Sequence, residues 1–330
     1  MTLQPLFDYR ILIKSLINKK GVTDRSLVKS GRLAFSYIIS TIKKNNMISK
    51  IILPNLICDE VVDVAHCHKI KTEYYNIDDN LNYNIHEIED LTDNQKSIIL
   101  FVNYFGFEEN HIISEQLEHN FIIEDNAHVL TNPDTRKIKK QIDYSFTSLR
   151  KLLPVLSGAE IYSDKYKFQI NQQTRFPDYG ELKYSLRSLK NTRSGTSKMG
   201  HSSSTSNYSL SPIDIFSKKI INNYNFTYSD IKKNRRKNFI FWEKYLSNHD
   251  VKFIKTITDN PNVCPYVFPC YVNDEIQQEG WIKWGKMYNI TIIPWPKYHK
   301  ETLDYVPNNF LRRILLFPVN HQFDLNKIIS

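Results

Sequence analysis

The sequence predicts an α/β chain: a mostly parallel sheet with helices on both faces, followed by a smaller α+β unit. Three observations predict it. Short apolar runs such as Ile51-Ile52-Leu53, Ile98-Ile99-Leu100-Phe101-Val102 and Phe121-Ile122-Ile123 lack the alternation of a half-solvated strand. Stretches of helical character separate them. Polar residues then stand just past the runs, at Asn55, Asn103, Tyr104, Asp125 and Lys151. In parallel sheets, functional groups gather at those carboxyl ends.

Taken in order, residues 23–45 read as one helix, in which Ser30-Gly31-Arg32 opens the apolar stretch Leu33 to Ile39. Lys50 to Leu53 is a buried strand stopped by Pro54. Asp59 to His68 is a second helix, with Val61, Val62, Val64 and Ala65 facing inward. Thr72 to Ile77 and Ser97 to Tyr104 are strands, the latter ending at Phe105-Gly106. Phe121 to Ile123, Ile142 to Phe146 and Ala159 to Ser163 are further strands, and Lys151 lies on the loop before the last. The Ser-, Thr- and Gly-containing stretch 190–206 predicts a mobile loop. A helix over Thr227 to Ser247 would turn Ile231, Phe239, Trp242 and Leu246 inward. Strands at Pro265 to Val272, Thr291 to Ile293 and Arg313 to Phe317 close the chain. The division predicted is 1–215 for the large unit and 216–330 for the small one.

Bulk properties narrow the function. The 330 residues, 41% of them hydrophobic, suffice for a large core and a smaller appended one. No run of 18 apolar residues occurs, so no membrane span is expected. Asp8 and Arg10 interrupt the N-terminal apolar stretches, which do not read as a signal peptide, and a cytoplasmic protein is expected. Cys58, Cys67, Cys264 and Cys270 are irregularly spaced and read as free thiols. His66-Cys67-His68 has no second ligand pair, so no metal is expected. The net charge of +9 includes clusters at Lys137 to Lys140 and Lys232 to Lys237. These read as solvated helix faces, or as attraction for an anionic substrate such as a nucleotide diphosphate. No nucleic-acid-binding pattern is present, and no nucleic-acid partner is expected. With nine glycines and neither a Gly-x-Gly-x-x-Gly nor a Walker segment, a dinucleotide loop is not expected.

One pair of residues points to a specific chemistry. Asp125 ends an apolar run in Glu124-Asp125-Asn126-Ala127-His128, and Lys151 follows the next strand. A strand-end carboxylate and a downstream lysine are what pyridoxal 5'-phosphate needs. The acid keeps the pyridine nitrogen protonated, and the amine condenses with the aldehyde.

From about residue 22 to residue 325 the chain resembles the DegT/DnrJ/StrS family of pyridoxal phosphate-dependent sugar aminotransferases. The segments that carry the resemblance are Ser30-Gly31-Arg32-Leu33-Ala34-Phe35, Ile52-Leu53-Pro54-Asn55, Asn76-Ile77-Asp78, Asn103-Tyr104-Phe105-Gly106, Glu124-Asp125-Asn126-Ala127-His128, the Lys151 loop leading to Gly158-Ala159, and Asn207-Tyr208. Relatives have Ser-Phe-x-Pro-Thr-Lys, ending in the lysine; here Phe146, not serine, stands five residues before Lys151, and Arg150 stands where threonine is common. Arg32 replaces a threonine and Ser209 an arginine. Leu56, Ile57 and Cys58 occupy the stretch where relatives carry a ring-stacking aromatic.

The resemblance implies the fold type I (aspartate aminotransferase-like) of pyridoxal phosphate enzymes. It implies that Asp125 pairs with the ring nitrogen, and that Lys151 binds the cofactor and then shuttles the proton. His128 would meet the phenolic oxygen or stack near the ring. Ser30, Gly31, Arg32 and Leu33 would seat the phosphate at a helix start, and Ser145 or Ser148 would add a hydroxyl. Asn207 would reach the cofactor of a second subunit, giving a homodimer with shared active sites. Glutamate would donate the amino group to a keto sugar, nucleotide-linked, for surface polysaccharide or lipopolysaccharide synthesis. A sugar dehydratase on the same scaffold is an alternative; family dehydratases carry histidine in place of the lysine. A non-catalytic member that binds a sugar nucleotide or a partner protein is another.

Overall fold

The computed structural model describes residues 1–17, 25–108, 111, 113–132, 139–168, 170, 173–190, 208, 210–257, 260–305 and 311–329. Its larger sheet has seven strands: β1 (Ser26–Val28), β2 (Lys50–Pro54), β3 (Lys71–Tyr75), β4 (Ile98–Val102), β5 (Phe121–Asp125), β6 (Tyr144–Thr147) and β7 (Ala159–Tyr162). Their order is β1-β7-β6-β5-β4-β2-β3. From β6 to β3 all neighbours are parallel; β7 runs antiparallel to both β6 and β1. Every residue of β2, β4 and β5 is buried, which explains the unalternated apolar runs. Helices α1 (Tyr9–Ile17), α2 (Gly31–Asn45), α3 (Asp59–Cys67), α4 (Ile85–Thr92), α5 (Leu149–Leu152), α6 (Tyr179–Lys190) and α7 (Ile215–Ile221) complete this half.

The second half opens with α8 (Asn225–Leu246). A four-stranded antiparallel sheet follows, built from β8 (Val251–Phe253), β9 (Val267–Val272), β10 (Ile293–Trp295) and β11 (Ile314–Pro318) in the order β10-β11-β9-β8. Helices α9 (Glu275–Met287) and α10 (Lys300–Leu303) belong to it. Ile231, Phe239, Trp242 and Leu246 of α8 are buried, as their spacing predicts. The same stripe also carries Arg235, fully buried, whose guanidinium donates to the carbonyls of Leu152, Pro265 and Tyr266. The N-terminal segment binds both halves. Thr291 donates to the Met1 carbonyl, while Arg150 donates to Gln4 Oε1 at 2.9 Å.

Several expectations need correcting. The single helix over 23–45 is a strand followed by a helix. Ser26–Val28 pairs with β7, and Ser30 caps α2 by accepting from the Leu33 N–H. The side-chain cap ends any helical run arriving from the left. The C-terminal strands lie one or two residues from their expected bounds, and β8 has no counterpart in the sequence reading. His66 meets Glu301, and His68 meets the Ser36 hydroxyl. Beyond Lys190, the expected loop 190–206 lies outside the described residues, as does Asn207. Among the described residues no helix is long and apolar enough to cross a membrane.

Candidate active site

The candidate site lies at the carboxyl ends of β5 and β6, facing the first turn of α2. Asp125 is the last residue of β5, and Ser148 follows β6. Asn126 locks the turn between them. Its amide donates to Glu124 Oε2 and Ser145 Oγ and accepts from Asn103 Nδ2. Thr147 Oγ1 adds bonds to the carbonyls of Asn126 and Val129. These buried bonds fix where Asp125 and His128 emerge.

One pocket collects Ser30, Gly31, Arg32, Asp125, Ser148 and Lys151, with Cys58, Glu60, Ala127, Phe146 and Arg150 in its wall. Most of the sequence-predicted site residues therefore meet. Ser145 does not join them, because its buried hydroxyl accepts from Asn126. The Leu33 N–H is taken by its cap, leaving those of Gly31 and Arg32 among the helix's orphan donors.

The electrostatics suit a cationic ring. Burial lifts the Asp125 carboxyl to about 6, opposed by Lys151 and by the Ala127 N–H that Oδ1 accepts. A carboxyl so enclosed gains from a buried positive partner. Burial and Lys151 keep the His128 imidazole neutral, its pKa well below the usual value. Burial pushes the Cys58 thiol up to about 11, so the residue standing in the ring-stacking stretch is an uncharged wall.

His128 Nε2 lies 3.2 Å from Lys151 Nζ. The Phe105 N–H donates to Nδ1 at 3.4 Å, so Nε2 is the ring nitrogen that faces the Lys151 side chain. The imidazole stacks between Phe105 and Tyr266, and Trp295 meets it edge-on. Tyr266 and Trp295 were not singled out for this role from the sequence, because they come from the second half of the chain and no local pattern marks them.

The residues fit pyridoxal phosphate on an observation of their own. Ser148 is a buried residue at the N-cap of α5, yet its hydroxyl makes no cap bond to that helix. Gly31 leaves the space before it open; a Cβ there would lie 3.7 Å from that oxygen. An oxyanion held by Ser148 and the α2 N-terminus would fill the gap.

No protein-family model matches the sequence, and no curated protein matches it. Solved structures do. The sugar aminotransferase CalS13 from Micromonospora echinospora is 11% identical, with 99% of this chain and 96% of that one covered at a TM-score of 0.66. Helicobacter pylori PseC, an aminotransferase involved in the biosynthesis of pseudoaminic acid, is 11% identical, covering 99% and 95% at 0.67. This chain has the sugar aminotransferase fold. An E. coli GDP-4-keto-6-deoxy-D-mannose-3-dehydratase with bound hydrated PLP shares that aminotransferase fold, at 13% identity, 99% and 97% coverage and a TM-score of 0.64.

Proposed function

We propose that the protein is a pyridoxal phosphate-dependent sugar aminotransferase, moving an amino group from glutamate to a nucleotide-linked keto sugar for surface polysaccharide synthesis. The observation that carries this reading is the convergence of Lys151, Asp125, Ser148 and the α2 N-terminus on one pocket of an aminotransferase fold. When bound, the cofactor supplies an aldehyde that captures amines and a ring that accepts electrons. Asp125 would hold the ring nitrogen's proton. Lys151 would bind the cofactor and, once released, carry the proton to or from the substrate carbon. His128 orients Nζ through Nε2, and the aromatic walls exclude water around that contact.

In this reading residues 1–215 form the cofactor-binding unit and 216–330 the smaller one, in the cytoplasm. The active unit would be a homodimer. On α1, Ile13, Leu16 and Ile17 are exposed; on α6, Tyr179, Leu182 and Leu186 are. A Tyr9 to Ser185 hydrogen bond ties the two helices together. Such a patch suits a second copy of the chain, with Asn207 reaching across. A sugar dehydratase and a non-catalytic binder are the alternatives on this fold. Lys151 favours transamination, because family dehydratases carry histidine at that position.

The test is borohydride reduction of the protein incubated with pyridoxal phosphate, followed by peptide mass mapping. The cofactor mass is expected on the peptide containing Lys151, and neither that mass nor retained yellow colour in Lys151→Ala. A wild-type protein that stays unlabelled overturns the reading. Formation of 2-oxoglutarate from glutamate with a keto-sugar acceptor separates transaminase from dehydratase.

A further inference from the structure

Two arginines share the pocket wall with Ser148. Arg32 sits in the first turn of α2 and Arg150 in α5, directly before Lys151. Arg32 is a third exposed and meets Glu60 at 3.3 Å, a pairing weak enough to yield. Arg150 is half-buried, and one of its contacts is a donation to Gln4 Oε1. The cations of the lining thus number three, Arg32, Arg150 and Lys151, against the carboxylates of Glu60 and Asp125.

A phosphate monoester brings close to two negative charges at neutral pH. The helix N-terminus offers about half a positive charge, and Ser148 offers none. Lys151 would be engaged at the aldehyde. We propose that the guanidinium groups of Arg32 and Arg150 clasp the phosphate of pyridoxal phosphate beside the Ser148 hydroxyl and the Gly31 and Arg32 N–H groups. The two guanidinium groups come from different elements, α2 and α5, and each would bring charged donors to the phosphate. Glu60 would hold Arg32 near this pose until the phosphate arrives.

This inference rests on the cofactor reading above, and the experiment separates the two. Binding of pyridoxal phosphate and of pyridoxal is followed by absorbance titration in wild type, Arg32→Gln, Arg150→Met and Arg150→Lys. Losing charge-assisted hydrogen bonds is expected to cost the arginine-deleted variants about tenfold or more in pyridoxal phosphate affinity. Pyridoxal affinity should stay the same, and Arg150→Lys should fall between. Unchanged phosphate preference in Arg32→Gln and Arg150→Met, or a parallel loss for pyridoxal, overturns the proposal. So does a loss of glutamate binding with cofactor affinity intact. If Arg150→Met does not fold, the partly exposed Arg32→Gln decides. If wild type binds neither aldehyde, the cofactor reading fails. Inorganic phosphate then tests the clasp by itself: a rise in wild-type Tm that is absent in Arg32→Gln upholds it, and no rise overturns it.

Discussion

Replacing Asp125 with asparagine should stabilise the apoprotein while weakening its hold on a cationic ring. Asparagine keeps the shape and can still accept the Ala127 N–H through Oδ1, but it removes a buried charge. Burial raises this carboxyl from its ordinary 3.8 to about 6. At about 1.4 kcal/mol per pKa unit, the ionised side chain costs the folded apoprotein about 3 kcal/mol at pH 8. The sign follows from proton binding. Between the two pKa values the folded state holds a proton that the unfolded state has lost, so the cost is absent below about 3.8. It grows as pH rises and is complete above about 6. The advantage of Asp125→Asn should therefore be about 3 kcal/mol at pH 8 and about 1 kcal/mol at pH 4.5. Urea unfolding of both apoproteins at the two pH values measures it. A variant no more stable than wild type at pH 8 would show that Lys151 and Ala127 outweigh burial. An advantage independent of pH would refute the reasoning outright.

Two glycines give a matched contrast. Gly106 has φ +97° and a Cβ there would meet Tyr266 N at 2.5 Å and Cys264 O at 2.7 Å, both backbone atoms. Gly106→Ala should lose roughly 3 kcal/mol or more in urea unfolding, because neither conformation nor space allows it. Gly280, exposed within α9, has nothing within 4 Å of its would-be Cβ, and Gly280→Ala should gain about 0.5–1 kcal/mol. Arg235→Met strands three carbonyls and should cost about 3–5 kcal/mol by the same assay. One of them belongs to Leu152, so covalent capture of pyridoxal phosphate at Lys151 should slow as well; normal capture would argue against that coupling.

What the sequence made legible is local. Unalternated runs of Ile, Leu and Val announce buried parallel strands because burial on both faces removes the need for polar positions. Asp125 is readable because it ends such a run, and Lys151 because it comes soon after the next strand. Residues 26–28 were not readable as a strand. Three residues carry too little pattern, and their partner β7 lies some 130 positions away in the chain. Arg235 was not readable as core, since only the three carbonyls converging on it make a fully buried guanidinium tolerable. Ser148 was legible as a hydroxyl near the lysine, whereas the commitment of Ser145 to Asn126 depended on a turn geometry no spacing reveals.

Phe105 shows how the remaining part of the site arises. It is fully buried, yet its φ is 60°, a left-handed conformation that costs a non-glycine residue on the order of 1 kcal/mol or more. In that pose its N–H reaches His128 Nδ1, and its carbonyl accepts from the Tyr266 N–H at 2.8 Å. The same residue thus joins the end of β4, the imidazole beside Lys151 and the second sheet. Relaxing Phe105 to an ordinary conformation would turn both groups away and leave His128 without its backbone donor and with a displaced stacking partner. The strain is local, but its effect is to make the orientation of Lys151 depend on how the two sheets pack.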